Sequence, residues 1–265
     1  MLTFGHNREE FMKLRLVLLA ATALVFAVPA TAAEIPSYVT AAVSNPDRTA
    51  EETARDANRK PDDMVTFAGI KPGNKVVDLV PGKDQYFTHI FANVVGKDGH
   101  VYSFMPTEFD AELASNKPPI QLPPDGTVNP AWGNVTFLHR PLVTLNLPEK
   151  VDVVWTSQNY HDFHDKFMGP VDIAAYNKAV YAALKPGGTY IVLDHAAPGT
   201  GLSATETLHR IDPAVVKQEV TAAGFVFAGE DDSLANPADD HSKLVFDPSI
   251  RGKTDQFVYK FNKPE

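Results

Sequence analysis

The sequence predicts a doubly wound α/β domain, a sheet with helices on both faces, and three observations point to it. Apolar runs of strand length recur, among them KVVDLV at 75–80, VDVVWTSQ at 151–158 and TYIVLDHA at 189–196. Such near-continuous apolar strands belong in a sheet covered on both sides. Helical patterns alternate with these runs, as in βαβ units. Polar and titratable residues gather just past the strand ends, where sheets of this class bind ligands.

In chain order, MKLRLVLLAATALVFAVPATAAE places Lys13 and Arg15 before an apolar run over 16–28 and a small-residue cleavage site at Ala30, Thr31 and Ala32. This is the form of a secretory signal peptide over residues 1–32, with Met12 as an alternative start. The run is shorter than the ~20 residues of a membrane span, so no stable anchor is expected after cleavage. The expected location is periplasmic or secreted.

An N-terminal extension follows over 33–62, extended as far as Pro46 and then helical in TAEETARDANRK, with Thr49 or a neighbour as cap. The main domain is expected over 63–265. It opens on a short helix capped by Asp62 and stopped at Gly69. The first strand, KVVDLV, leads to a helix with Phe87, Ile90, Phe91, Val94 and Val95 on one face and Gly96 as its stop.

GHVYSFM is the second strand, and the proline-rich segment 117–130 is a surface loop. NVTFLH and VDVVWTSQ are strands three and four, and a helix within 170–188 leads to strand five, TYIVLDHA. Asp212 caps the next helix with Pro213 at its first position, and Gly224 ends it before FVFAGE. DQFVYKF closes the chain as a strand at or near a sheet edge.

The 265 residues, 44% hydrophobic, suffice for one sizeable core. A net charge of −9 argues against nucleic acid, whose binders concentrate positive charge. With no cysteine, the chain has neither disulfides nor thiolate metal ligands. A small-molecule ligand is the expected partner.

Candidate site residues follow the strands. After strand one, Gly82 allows a ligand to approach the backbone closely, although an ordinary turn would look the same. After strand two, where a ribose-binding carboxylate would stand, the residue is Met105; Glu108 is the nearest acid, to be weighed against a solvated loop residue. Strand four runs into SQNYHDFHD, and strand five ends at Asp194 and His195.

Three readings of His161, Asp162, His164 and Asp165 stay open. They are a general acid or base beside a carboxylate, a metal site completed by His195 or His209, and a polar capping loop. Arg55, Arg59 and Lys60 form a basic strip that either covers the cleft or is a solvated helix face. No serine sits in a glycine-flanked nucleophile elbow.

IKPGNKVVDLVPG, VDVVWTSQNYHDFHD, LKPGGTYIVLDHAAPGTG and EVTAAGF together resemble the class I S-adenosylmethionine-dependent methyltransferases over roughly residues 45–264. With the signal peptide, RDANRKP, QNYHD, HRID and IRGKTDQFVYKF, the chain looks like a group of exported bacterial predicted methyltransferases. The resemblance implies a Rossmann-like seven-stranded sheet with an antiparallel last strand, and S-adenosylmethionine as cofactor.

It also implies that Asp78, Val80, Pro81 and Gly82 line the methionine and ribose side, with Glu108 and Asn159 as further cofactor contacts. Asn159, Tyr160, His161 and Asp162 then face the methyl donor and acceptor, and His161, Asp162 and His195 are the catalytic candidates. The turn departs from the family pattern, with Val80 at the first glycine position and Lys83, Asp84 and Gln85 after Gly82. Two alternatives therefore stand beside a methyltransferase with a small-molecule acceptor. One is a non-catalytic ligand-binding protein of degenerate fold; the other is a metal-dependent enzyme using His161, His164 and His195.

Overall fold

The computed structural model describes residues 34–169 and 171–265, and the expected signal peptide lies outside them. Four short helices precede the sheet: α1 (Ser37–Val43), α2 (Ala50–Thr53), α3 (Asp56–Arg59) and α4 (Pro61–Ala68). The expected extended stretch to Pro46 is thus partly helical. Val39, Ala42 and Val43 share one face of α1 and are buried in a core that also takes residues of α4 and the helix after strand one. Seven residues with three β-branched members carry too little local propensity to announce such a helix; tertiary burial forms it.

The expected single helix over 49–60 is two. Thr49 and Glu52 close a capping box on α2, with each side chain accepting from the other's backbone N–H. Asp56 then opens α3, held by two bonds from Arg48 at 2.7 and 2.9 Å and one from the Tyr86 hydroxyl at 2.6 Å. Lys60 is left-handed and Pro61 is the first residue of α4, so Asp62 is not the cap expected from sequence. Gly69, with φ of 72°, does end α4.

β1 (Lys75–Leu79), β2 (His100–Pro106), β3 (Val135–Arg140), β4 (Val151–Ser157), β5 (Leu184–His195), β6 (Val226–Asp231) and β7 (Gln256–Asn262) form one sheet in the order β3-β2-β1-β4-β5-β7-β6. β1 to β5 pair in parallel, and β7 runs antiparallel to both β5 and β6. β7 therefore lies one strand in from the edge, which is why Val258 and Phe261 are fully buried, whereas β6 at the edge alternates exposed and half-buried.

Helices cover both faces. α5 (Tyr86–Val95) packs with α1 and α4 over Val76, Val101, Trp155, Ile191 and Val258. α7 (Ile173–Ala183) and α9 (Pro213–Ala222) pack over Val77, Phe104, Val154, Tyr190 and Phe261 on the other side. Neighbouring strand residues thus serve opposite cores, the reason these strands read as continuous apolar runs. The five-residue apolar stripe read on α5 is buried, and so are Thr88, which faces Asp78 of β1, and His89, which α2 covers through Glu52. α6 (Asp110–Ser115) and α8 (Thr205–Leu208) are short additions after β2 and β5. Among the described residues no helix is long and apolar enough to cross a membrane.

Candidate functional site

The parallel strands end together, and the turns beyond β1, β4 and β5 meet there. After β1, Val80 adopts φ of 53° and Gly82 φ of 71°. A left-handed valine is a costly choice for a β-branched residue; the backbone keeps a glycine-like path while the side chain packs into the core. Pro81 is half-buried and Gly82 exposed. Asn159 donates to the Val80 carbonyl at 3.2 Å, tying the turn after β4 to the turn after β1.

Asp78 lies beneath this turn, 2% exposed, with the Thr88 hydroxyl donating to it at 2.6 Å. Burial raises its pKa to about 7, against the opposing pull of Thr88 and the Arg59 guanidinium. Glu108 does not lie free in the cleft: both its oxygens accept from the Leu142 backbone N–H, at 3.0 and 3.1 Å.

The basic strip separates into two roles. Arg55 and Arg59 lie over the Tyr86 ring at 4.8 and 5.0 Å, and Arg59 reaches Gln158 at 3.3 Å. Arg55 pairs with Asp84 of the β1 turn at 3.5 Å. These two side chains cover the cleft, while Lys60 is exposed. Asp84, out of place for a glycine-rich turn, thus anchors the helix above it. Burial and the neighbouring Arg55 lower the pKa of Arg59.

β4 delivers Tyr160, His161 and Asp162 into a 3-10 turn at His161–His164. Asp194, wholly buried at the end of β5, accepts from the backbone N–H of His161 at 2.8 Å and of His195 at 2.7 Å, and meets Nδ1 of His161 at 2.8 Å. Nε2 of His161 lies 3.2 Å from Nδ1 of His209 and 3.2 Å from Oδ1 of Asp162. Burial pushes the His161 imidazole down, but Asp194 and Asp162 outweigh it and carry its pKa to about 10. Asp162 is held low, since His161 and His209 overcome its burial.

His164 is not part of this group. It faces Glu219 of α9 at 3.2 Å, and Tyr160 donates to the same carboxylate at 2.9 Å. The triple His161, His164 and His195 expected for a metal is therefore not one ligand set; His209 and Asp162 are the residues brought to His161. Asp165, next in the turn, is buried with one carboxylate oxygen unpartnered, and burial raises its pKa.

His195 stands apart as a neutral imidazole. Burial lowers its pKa to about 3, and its Nδ1 meets the Thr254 hydroxyl at 2.7 Å. It lines a cavity of about 330 Å³ with Arg55, Arg59, Gln158, Arg251 and Gln256. Among the described residues the cavity's lining holds three guanidiniums and no carboxylate, an electropositive surface suited to an anionic group. Sequence reasoning reached Arg55, Arg59 and His195, and missed Gln158, Arg251 and Gln256. The last two lie far along the chain, within IRGKTDQFVYKF, a segment that carried the family resemblance but gave no sign of which of its side chains face the cleft.

No family model matches the sequence, and no curated protein matches it. Among solved structures, a methyltransferase dependent on S-adenosylmethionine from Aquifex aeolicus superposes with a TM-score of 0.50 at 17% identity, over 77% of this chain and 88% of that one. An arsenic(III) S-adenosylmethionine methyltransferase from Chlamydomonas reinhardtii gives 0.49 at 17% identity, over 87% and 74%. The strand order with its antiparallel β7 and the Aquifex likeness define the class: this chain has the Rossmann-like fold of the class I methyltransferases.

Proposed function

We propose that the chain is an S-adenosylmethionine-dependent methyltransferase with a small, anionic acceptor. The observation that carries this reading is the electropositive cavity over the ends of β4, β5 and β7 in a class I methyltransferase fold. The residues fit the carboxylate-bearing end of the cofactor: Arg55 has a buried Nε without a partner, and Arg59 and Gln158 lie beside it. Gly82 leaves open space beside the β1 turn, where an added Cβ would meet nothing within 4 Å. When bound, S-adenosylmethionine supplies a methyl group on a sulfonium.

The chain's own residues then bind, orient and exclude water. The arginines fix anionic groups, and Gln158 and Gln256, joined at 2.8 Å, offer amides to the cavity. His195, with its pKa near 3, is a weak base, so it serves as a neutral hydrogen-bonding wall. Methyl transfer needs positioning above all, and needs a base only for an acceptor that keeps its proton. Calorimetric titration with S-adenosylmethionine and S-adenosylhomocysteine tests the reading. Micromolar binding that weakens in Arg55→Ala is expected; no binding at millimolar ligand sinks it.

The engaged Glu108 and the valine at position 80 favour one second reading, a binding protein that keeps the fold and takes an anionic ligand without the cofactor. Retained binding of small carboxylates with no response to either cofactor form would select it. The location proposed remains periplasmic or secreted, and mass spectrometry of the protein from its native cell would then give a mature chain beginning near Ala33.

A further inference from the structure

We propose that His161, Asp162 and His209 form a binding site for a zinc-type divalent cation, with Asp194 as the carboxylate that orients His161. The inference does not depend on whether the cofactor binds. Three potential donor atoms meet in one triangle: Nε2 of His161 to Nδ1 of His209 is 3.2 Å, Nε2 of His161 to Oδ1 of Asp162 is 3.2 Å, and Nδ1 of His209 to Oδ1 of Asp162 is 3.5 Å. Bonds of ~2.0–2.1 Å at tetrahedral angles place neighbouring ligand atoms about 3.3–3.4 Å apart, whereas right angles bring them to about 3.0 Å. The three observed edges bracket the tetrahedral value.

Hydrogen bonds account less well for the triangle. A proton on Nε2 of His161 serves the two edges that meet there. If each imidazole instead donates its own proton to Oδ1 of Asp162, the His161–His209 edge sets two N–H groups against each other at 3.2 Å. Either arrangement leaves one edge without a hydrogen bond. A cation that displaces the Nε2 proton of His161 accepts a lone pair from all three atoms at once. The surroundings are those of a metal site: Nδ1 of His161 meets Asp194 at 2.8 Å, the carboxylate–histidine arrangement that fixes which nitrogen faces a metal. Asp165, buried in the same turn, has one carboxylate oxygen without a partner.

The site is built and partly open. The side chains of His161 and Asp162 are 3% and 13% exposed, and that of His209 is 28%. The ring of Phe246 lies 5.1 Å from His209 and also lines the electropositive cavity, so the two share a wall. Three protein donors leave a fourth position for water or an anionic ligand atom, as in catalytic zinc sites. Histidine with carboxylate favours zinc over calcium or magnesium, which prefer oxygen alone.

The test uses the untagged full-length chain stripped with chelator and titrated with zinc and with cobalt(II). We expect one equivalent of either metal by calorimetry and elemental analysis, with the intense visible absorption of tetrahedral cobalt. His209→Ala, at the most exposed ligand, should abolish stoichiometric binding while thermal unfolding shows a folded protein. Asp194→Asn should weaken it about 10–100-fold, and His139→Ala, remote from the site, should change nothing. No bound metal and no heat with either ion would overturn the proposal. So would binding that survives unchanged in both His209→Ala and Asp162→Ala.

Discussion

Replacing Asp78 by Asn should flatten the pH dependence of stability, because Asp78 is the wholly buried carboxyl under the β1 turn whose pKa is raised to about 7. Asn keeps an acceptor for the Thr88 hydroxyl, which now donates at 2.6 Å, so the exchange removes the titration with little change of shape. The sign follows from linkage. A carboxyl whose folded pKa exceeds its unfolded value contributes most below the unfolded pKa and loses that contribution as pH rises through the folded one.

The loss therefore runs from about pH 4 to pH 7 and levels off above. Between pH 5 and pH 8 the wild type should lose roughly 2.5 kcal/mol relative to Asp78→Asn, out of about 4 kcal/mol in all. Urea unfolding of both proteins across that range measures the difference directly, since every other titrating group cancels. A difference that stays constant with pH would mean that Asp78 is ionised throughout, held by Arg59, and would refute the reasoning.

Arg59→Met keeps an apolar side chain over the Tyr86 and Phe87 rings and removes the charge; binding of an anionic ligand in the cavity should weaken about 10–100-fold, and Asp78 should titrate at higher pH, both readable by calorimetry and pH-dependent unfolding. Val80→Gly relieves a left-handed valine at φ of 53°, a gain of ~1–2 kcal/mol that offsets about 1.5–3 kcal/mol of lost burial. The net change should lie between a gain of about 0.5 and a loss of about 2 kcal/mol in urea unfolding, with tighter binding of S-adenosylmethionine; a loss of about 3 kcal/mol or more would show that the turn is not strained.

The parts of the fold that were legible in sequence are those whose signal is local. Strands buried on both faces, such as KVVDLV, show as apolar runs, DQFVYKF shows by alternation, and all seven expected strands correspond to strands of the sheet. Asp212 with Pro213 announced α9, and the Asp212 carboxylate does accept from the Ala214 N–H at 2.9 Å. What stayed hidden depends on partners distant in sequence. α1 exists because Val39, Ala42 and Val43 find α4 and α5. The break between α2 and α3 accompanies the binding of Asp56 by Arg48 and Tyr86. His164 could not be told from His161 by spacing, since a 3-10 turn sends one toward Asp194 and the other toward Glu219 of α9.

The same contrast explains the β1 turn. Read alone, Lys83, Asp84 and Gln85 look like the loss of a phosphate-style glycine loop, but the fold gives two of them local tasks. Asp84 pairs with Arg55 of the covering helices, and Gln85, left-handed at φ of 47°, starts α5. Arg55 in turn lines the cavity beside Arg59. An acid in the turn and a base in the covering helices thus make one contact across the cleft, from Asp84 to Arg55, while Arg59 is held separately over the Tyr86 ring and by Gln158. A glycine at position 84 would leave Arg55 without that tether, so the departure from a glycine-rich turn follows from how this chain closes its cleft.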